Sequence, residues 1–485
     1  MRYKEDMVHV VCAKGDVFLV AELFRLLGAS WSRASGGKKA RITVSFGESD
    51  LIRKGIPKVQ YDRYRSSFST MDSVMSEVTV IRLRFGSTII PIYCGVRKIN
   101  GSGKVLATTE NGFVVARFVK EGSLLSVIFG YDILAELQFL LTIGQPIEYA
   151  AIPTLDLHIN LLKLALSHIS KDISNIKSGT PQKLLVLTHD VDIPFLRPHL
   201  FDTVFAGILA RGISNLPGKT NLARLRRKTL LLSIEHAVGL TPDPLQGLAN
   251  CLSIEETLKV KSTFFLVSRL GTAGRPCLRY EGYSRWRSMR KIKYGRQGLR
   301  RILNQLKDTG NEIALHGIDA WIFSGEAIQE KCALEKYGFK VYGNRMHWLY
   351  WGIDTPQVLA DAGFTYDSSL GYNTSVGFRC GTAKPFRFPN APTLWELPMI
   401  VMDNALLKRR DLSPEEMIEQ VIPIVQQISK HGGILTLNWH IRSFGYERGC
   451  AKHYEKLVRY LQTLGFKCMQ PVDIIEMELR TNEER

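Results

Sequence analysis

The 485-residue sequence has no run of about 18 uninterrupted apolar residues, the minimum for a transmembrane helix. Its eight cysteines form no C-x-x-C pair, which disfavours both a disulfide framework and a cysteine-ligated zinc site. The start shows no signal peptide, because its short apolar stretch is broken by Lys14 and Asp16. Internal repeats and low-complexity tracts are also lacking. These absences predict a cytoplasmic globular protein without a transmembrane segment.

Negative charge is scarce, with 46 acidic residues against 64 Lys and Arg and a net charge of +18. Eleven Lys or Arg lie between Arg269 and Arg301 beside a single acid, Glu281. A second cluster lies in the acid-free stretch 203–234 and consists of Arg224, Arg226, Arg227 and Lys228. Such clusters attract nucleic acid, acidic lipid headgroups or anionic sugars, or they form a solvated face. No nucleic-acid module surrounds either cluster, so nucleic acid is disfavoured and peripheral membrane contact stays open.

The length exceeds that of one ordinary core, so two domains are predicted. Residues 1–178 read as an α+β accessory domain of unassigned role, ending in a Ser-, Gly- and Pro-containing linker at 175–181. Its predicted strands are 8–11, 78–83 and 88–93, the last at a sheet edge because of Pro91, and its predicted helices are 132–141 and 155–169.

From residue 182 onward, predicted strands and helices alternate, which indicates an α/β fold. The strands are predicted at 184–187, 262–267, 312–315, 394–397 and 434–437. The helices are predicted at 254–260, 298–306, 327–337, 356–362, 414–430 and 453–464. The best-marked helix start is Ser413-Pro414-Glu415-Glu416, which has the pattern of a capping box.

The first strand of this half runs into Thr188-His189-Asp190-Val191-Asp192. Side chains two apart on a strand point the same way, so Asp190 and Asp192 can meet one ligand at the strand's carboxyl end. Catalytic residues collect at this end in α/β sheets and barrels. One carboxylate could hold a metal ion while the other accepts a proton from water. A turn or helix cap is the alternative interpretation.

Later strands also end in polar residues. The strand at 312–315 leads into His316, Asp319 and Trp321, and the strand at 434–437 leads into His440. Between these two strands lie Arg345, His347 and the aromatic Trp348, followed by loops that contain Asp367 and Arg379. In the alternative interpretation, the histidines have structural roles, the aromatic residues belong to the core and Asp367 holds a turn.

The order of these pieces resembles that of the polysaccharide deacetylases of the NodB-homology class, a carbohydrate esterase type, over about residues 182 to 475. The resemblance implies an irregular (β/α)7 barrel, similar to a TIM barrel. It also implies that Asp190 is the catalytic base, that Asp192 and His316 bind metal, that Arg345 holds the base and that His440 assists the leaving amine.

The sequence departs from this pattern at one position. The second motif of the family has histidines spaced i, i+4, and here the residue four positions after His316 is Ala320. A catalytic zinc site usually has three protein ligands and an open position. Asp319, the nearest carboxylate, is the preferred third ligand, with His347 and His189 as alternatives. The predicted cofactor is a divalent metal ion, and Zn²⁺ is the preferred one.

The predicted function is that of a metal-dependent hydrolase, acting on carbon–nitrogen bonds, that removes N-acetyl groups from a sugar or polysaccharide precursor. The basic clusters suit an anionic carbohydrate, and the predicted substrate-binding residues are Trp321, His347, Trp348, Asp367 and Arg379. Two alternatives remain: a catalytically inactive carbohydrate-binding or scaffold protein, which Ala320 motivates, and a hydrolase of another amide-type bond.

Overall fold

The computed structural model describes residues 8–11, 17–27, 31–33, 43–45, 80–121, 124–168, 182–200, 203–217, 220–243, 245–271, 274–275, 295–407, 412–445 and 449–483. The predicted linker at 175–181, the beginning of the strand predicted at 78–83 and most of the basic cluster between Arg269 and Arg301 lie outside these residues. No helix within the described ranges is long and apolar enough to cross a membrane.

Within its described residues, the N-terminal part has two sheets and three α-helices. A parallel sheet of order β2-β1-β3 comprises β1 (Val8–Val11), β2 (Trp31–Arg33) and β3 (Thr43–Ser45), with helix α1 (Val17–Leu27) between β1 and β2. An antiparallel sheet of order β5-β4-β6-β7-β8 comprises β4 (Ile81–Phe85), β5 (Thr88–Ile92), β6 (Lys104–Thr109), β7 (Val114–Glu121) and β8 (Leu124–Phe129). Helices α2 (Ile133–Thr142) and α3 (Thr154–Ser167) follow. The predicted α+β character is confirmed, and β5 with its Pro91 is indeed an edge strand.

The second part is a curled sheet of ten strands in the order β14-β15-β13-β12-β11-β10-β9-β17-β16, with β18 also paired to β9. All pairs are parallel except β14 with β15. The strands are β9 (Lys183–Val191), β10 (Thr263–Leu266), β11 (Glu312–Gly317), β12 (Gly343–Met346), β13 (Tyr366–Asp367), β14 (Phe386–Phe388), β15 (Ala391–Glu396), β16 (Val401–Met402), β17 (Gly433–Asn438) and β18 (Lys467–Cys468). This arrangement confirms the predicted irregular α/β barrel.

Helices connect the strands of this barrel. They are α4 (Thr203–Ser214), α5 (Asn221–Ala237), α6 (Leu248–Leu258), α7 (Gly295–Leu306), α8 (Ser324–Glu335), α9 (Thr355–Asp361), α10 (Asp403–Leu406), α11 (Pro414–His431), α12 (Ala451–Thr463) and α13 (Pro471–Glu483). Helix α11 begins with the predicted capping box, in which the Ser413 and Glu416 side chains each accept the other residue's backbone N–H.

Strand β9 is an interior strand of the sheet, third from the β16 end, and both of its faces are covered. Every residue of β9 after Lys183 is buried, as expected of a parallel strand covered on both faces. Its whole first half pairs with β17 and its last four residues pair with β10, while β18 contacts Leu184 and Leu185. The end of β9 that carries Asp190 is therefore fixed by neighbours on both sides.

The N-terminal helices share one hydrophobic core with the barrel. Arg25 of α1 pairs with Glu478 of α13 at 2.8 Å, and Tyr372 of the barrel donates its hydroxyl to the carbonyl of Gln145 at 2.8 Å. The backbone N–H of Leu155 in α3 donates to the carbonyl of Gly381 at 2.9 Å. The two parts therefore stabilise each other by packing and hydrogen bonds, and the boundary at residue 178 stays a prediction.

Candidate active site

The Asp190 carboxylate lies at the centre of a buried polar network at the carboxyl end of β9. Arg345 on β12 donates to Oδ1 at 3.0 Å, and Asn438 at the end of β17 donates to Oδ2 at 2.8 Å. Nε2 of His316 and Nε2 of His440 each lie 3.9 Å from Oδ2. Burial alone would raise the pKa of Asp190, but His316, Arg345, His440 and the Asn438 hydrogen bond together hold it well below its usual range. Asp190 is therefore a buried, ionised carboxylate between two imidazoles.

Arg345 is fully buried and each guanidinium nitrogen has a partner. Nη1 also donates to the Thr188 hydroxyl at 2.8 Å, while Nε and Nη2 each donate at 2.9 Å to Ser368, at its carbonyl and its hydroxyl. The guanidinium carbon lies 4.2 Å from the centre of the Phe265 ring. Because these contacts fix the guanidinium group of Arg345 on several sides, Arg345 orients the Asp190 carboxylate.

His440 is paired with a carboxylate that sequence analysis did not identify. Its Nδ1 lies 2.6 Å from Oδ1 of Asp403, the first residue of α10, and its backbone N–H donates to Oδ2 at 3.2 Å. Ser443 also donates its hydroxyl to Asp403. Burial lowers the pKa of His440, but Asp403, aided by Asp190 and Asp192, raises it above its ordinary value. The geometry therefore favours a protonated His440.

His316 differs from His440 in its partner and in the direction of its pKa shift. Its Nδ1 lies 3.0 Å from the carbonyl of Arg345, so Nδ1 carries the proton and Nε2 keeps a lone pair directed at the site. Burial lowers the pKa of His316 despite the nearby Asp190 and Asp192. The two imidazoles that flank Asp190 thus favour different protonation states, an arrangement that suits a ligand on one side and a proton donor on the other.

His347 lies beside His316, with ring centres 5.2 Å apart. Burial, together with the neighbouring His316, lowers the pKa of His347 to about 3, so it is a neutral imidazole at pH 7. Trp348 and Leu349, which follow it, both have positive φ, at 61° and 56°. Two adjacent non-glycine residues in the left-handed region indicate local strain, which in proteins clusters at functional sites.

Asp192, His316 and His347 are residue types that bind divalent metal ions, and their donor atoms do not all lie within 4.8 Å of one another in this structure. Burial would raise the pKa of Asp192, but His440, Arg442, His347 and His316 lower it, so its carboxylate is ionised. One carboxylate with two neutral imidazoles is a donor set suited to Zn²⁺ and similar ions. These residues fit a metal ion by the nature and protonation of their donor atoms.

Asp319, the preferred third ligand from sequence, has other partners in the structure. Its Oδ2 lies 2.9 Å from Nη1 of Arg269, and its Oδ1 accepts the backbone N–H of Arg275 at 2.7 Å. Ala320, at the position of the missing histidine, is fully buried. Both oxygens of Asp319 are thus engaged with the segment that follows β10, and His347 is the side chain brought next to His316.

His189, the remaining alternative ligand, belongs to a different buried group. Among the described residues, His189, Cys251 and Glu255 are the group of three whose ligand atoms all lie within 4.8 Å of one another. His189 Nδ1 lies 2.7 Å from the carbonyl of Trp439, and its Nε2 lies 2.9 Å from Oε1 of Glu255. Glu255 also accepts from the hydroxyls of Tyr454 and Ser262 at 2.7 and 2.8 Å. Since these atoms already satisfy one another, the group supports the Trp439–His440 turn from behind β9.

The predicted substrate-binding residues occupy two kinds of environment. Trp348 is half-buried against His347, with ring centres 5.3 Å apart, and Trp321 is buried with its ring 6.0 Å from Tyr350. Asp367 is fully buried and accepts from Asn344 at 2.6 Å and from the Ser369 backbone at 2.7 Å. Arg379 is buried and donates to the carbonyl of Gly371 at 2.8 Å. Asp367 and Arg379 thus hold the loops, and Trp348 lies against His347.

Sequence analysis missed Asp403, Asn438 and Thr188 as members of the site. Asn438 and Thr188 are register partners on β17 and β9, so strand pairing alone would bring them together. Asp403 directly follows the two-residue strand β16, which is too short to recognise from its sequence. The detectable signal was a polar residue immediately after an apolar run, as for Asp190.

No family model and no curated protein matches the chain. Solved structures do resemble it. One, described as a polysaccharide deacetylase from Mycobacterium smegmatis, is 19% identical, with 60% of this chain and 94% of that chain covered and a TM-score of 0.35. The Puue allantoinase is 15% identical over 62% of this chain and 91% of that one, with a TM-score of 0.39. A CE4-family pseudoenzyme from Bacillus anthracis is 12% identical over 61% of this chain and 66% of that one, with a TM-score of 0.29.

The matched structures include polysaccharide deacetylases, at 11–19% identity and with TM-scores of 0.29–0.38. At these identities the similarity concerns the fold alone. The chemistry of the site therefore has to be argued from the residues of this chain.

Proposed function

We propose that the protein is a metal-dependent hydrolase that removes N-acetyl groups from a sugar or polysaccharide precursor. The observation that carries this proposal is the placement of ionised Asp190 between His316, whose pKa is lowered, and His440, whose pKa is raised. Amide hydrolysis needs a base that accepts a proton from water and an acid that protonates the leaving amine. Asp190 and His440 supply that pair within one buried site.

Asp192, His316 and His347 would hold the metal ion, with Asp319 as the alternative third ligand. A divalent cation, Zn²⁺ in the first instance, would supply Lewis acidity that activates water and polarises the acetyl carbonyl. The lone pair on Nε2 of His316 is directed at the site because the Arg345 carbonyl fixes its tautomer.

The protein's own residues move the protons. Asp190 accepts a proton from water, and Arg345 and Asn438 keep its two oxygens in place. His440 donates a proton to the amine nitrogen as the carbon–nitrogen bond breaks, and Asp403 stabilises the protonated imidazole before that step. Trp348 offers a half-buried surface on which the apolar face of a sugar ring can pack.

The substrate that suits the charge of the chain is an anionic carbohydrate, with Trp321, Asp367 and Arg379 shaping the loops around it. The net charge of +18 favours uronic-acid or phosphate-linked sugars over neutral ones. We place this reaction in the cytoplasm, on a precursor of an envelope or surface glycan.

A catalytically inactive carbohydrate-binding or scaffold protein is the second candidate. The observation that favours it is Ala320, which removes one imidazole from the metal-binding pattern and fills a fully buried position. A hydrolase of a different carbon–nitrogen amide bond is the third candidate, because the same base and acid would serve that reaction.

The test combines metal analysis with acetate release by the full chain. The wild type, Asp190→Asn and the control Asp361→Asn, an exposed residue of α9, are assayed with Zn²⁺, Co²⁺ or chelator on N-acetylated oligosaccharides and on cyclic amides. Acetate release that needs metal, falls at least about 10³-fold in Asp190→Asn and persists in the control supports the proposal. Ring-opening without acetate release favours the third candidate. A metal-free protein in which all three chains behave alike favours the second.

A further inference from the structure

Helices α4 and α5 form an insertion between β9 and β10 that exposes many aliphatic side chains. Of the thirteen large hydrophobic side chains that are exposed in the described ranges, six lie between residues 213 and 240. Their exposed fractions run from 47% for Ile234 to 76% for Leu240. We name this set the aliphatic patch: Ile213, Leu216, Leu231, Ile234, Val238 and Leu240. A concentration of this kind marks an interaction surface, whereas exposed hydrophobics scattered singly need no explanation.

The two helices that carry the patch pack against each other. Gly212 of α4 lies so close to α5 that a Cβ on it would be 2.6 Å from Cβ of Leu230. Arg227 of α5 donates to the carbonyls of Asn215 and Leu216 at 3.2 and 2.9 Å. The end of α4 therefore packs against the middle of α5, at Arg227 and Leu230.

The chemistry around the patch identifies what it binds. Leu231, Ile234 and Val238 are spaced i, i+3, i+7, so they share one face of the helical segment. Arg224 and Lys228 precede Leu231 by seven and three residues, lie on the same face and are exposed. The stretch 203–234 contains six Lys or Arg and no acid, and Glu235 is the one acid between Arg224 and Leu240. An aliphatic face bordered by cations is the pattern of a helix that lies in the interface of an anionic membrane.

Other occupants fit these side chains less well. A nucleic acid would be met by cations and stacking aromatics, whereas the exposed apolar residues here are all aliphatic. We propose that the aliphatic patch, with Arg224 and Lys228, binds the surface of bilayers that contain anionic phospholipid. The binding does not depend on whether the protein is an enzyme.

The insertion packs against the segment of chain that follows His440. Leu225 of α5 approaches Gly449, at the end of the loop that follows His440, so closely that a Cβ on Gly449 would be 3.2 Å from Cδ1 of Leu225. In the chain, the insertion follows β9 from Thr203 onward and precedes α6 and β10.

The test is flotation of the full chain with phosphatidylcholine vesicles, with and without phosphatidylglycerol. We expect binding to the anionic vesicles only, weakened by about 1 M salt because screening then acts within about 3 Å. Arg224→Glu with Lys228→Glu is expected to weaken binding at least about 30-fold, and Leu231→Ser with Ile234→Ser at least about tenfold.

Two matched pairs serve as controls on other surfaces. Ile328→Ser with Leu479→Ser replaces aliphatic side chains of similar exposure, and Lys307→Glu with Lys336→Glu reverses two exposed cations. Circular dichroism and the melting temperature identify any variant that fails to fold, and Ile213→Ser with Leu216→Ser then replaces the α5 pair.

The proposal is overturned if the patch variants bind as the wild type does or if binding ignores lipid charge. It is also overturned if the control pairs weaken binding equally. The same holds if the wild type fails to float but binds a DNA duplex or forms a dimer through the patch.

Discussion

Replacement of Asp403 by Asn tests the pairing of His440 most directly. The substitution keeps the size of the side chain and removes the charge that lies 2.6 Å from Nδ1 of His440. A hydrogen bond to a charged group contributes about 1.5–3 kcal/mol, so its loss should reduce the ratio of protonated to neutral His440 by roughly 10- to 150-fold at a fixed pH. In the wild type, burial lowers the pKa of His440, but Asp403 raises it above its ordinary value. The pKa should therefore fall in Asp403→Asn.

The sign of the effect on activity follows from the role of His440. An acid that must be protonated stops working as the pH rises through its pKa, so the alkaline limb of the profile of kcat should move to lower pH in Asp403→Asn. The imidazole can also be titrated by nitrogen NMR, with His440→Gln to assign its signals, which requires no substrate.

Asn404→Ala is the matched control for this experiment. Asn404 lies 3.5 Å from the other ring nitrogen of His440 and carries no charge, so its removal should move the titration little. An unchanged His440 titration in Asp403→Asn, or an equal shift in Asn404→Ala, would refute the assigned role of Asp403.

Three further predictions concern stability and metal binding. Asp190→Asn should lower the free energy of unfolding by about 3–5 kcal/mol, because it leaves the buried Arg345 without its carboxylate; a loss below about 1 kcal/mol in urea denaturation would contradict this. Burial raises the pKa of Glu312 from 4.5 to about 7, so its contribution to stability is present at low pH and lost as the pH rises through about 7. The unfolding free energy of the wild type should therefore fall by about 3 kcal/mol relative to that of Glu312→Gln between about pH 5 and 8. If the unfolding free energies of the two proteins change in parallel with pH, this prediction is wrong. His347→Ala should bind divalent metal at least about tenfold more weakly whereas Asp319→Asn should not, measured by metal titration, and the reverse order would make Asp319 the ligand.

The long elements could be predicted because their patterns are local. Strand β9 reads as an apolar run bounded by a linker and an acidic motif, and α11 has a cap that its sequence displays. Helix α6 begins at Leu248, earlier than the predicted 254, because Gly247 gives no side-chain cap to mark the start. Strand β12 (Gly343–Met346) was not predicted, since Gly-Asn-Arg-Met is polar and becomes a buried strand only through its neighbours β11 and β13.

The same distinction separates the predicted and missed parts of the site. Asp190 and His440 follow recognisable strands, and Arg345 was identified through the order of the motifs. The engagement of Asp319 by Arg269 could not be predicted, because it depends on how the segment after β10 folds back over the β11 loop. Likewise, Asp403 meets His440 only through the short strand β16 beside β17.

The position of β9 between β10 and β17 also constrains how the chain folds during synthesis. Asn438, which donates to Asp190, lies 248 residues further along the chain, and β18 comes later still. Until those residues leave the ribosome, β9 can pair with β10 while its other edge has no strand to bond. Such an unpaired edge invites aggregation and slow completion of the sheet. A nascent chain halted before β17 should therefore need a chaperone, and it should acquire native protease resistance only after β17 has emerged.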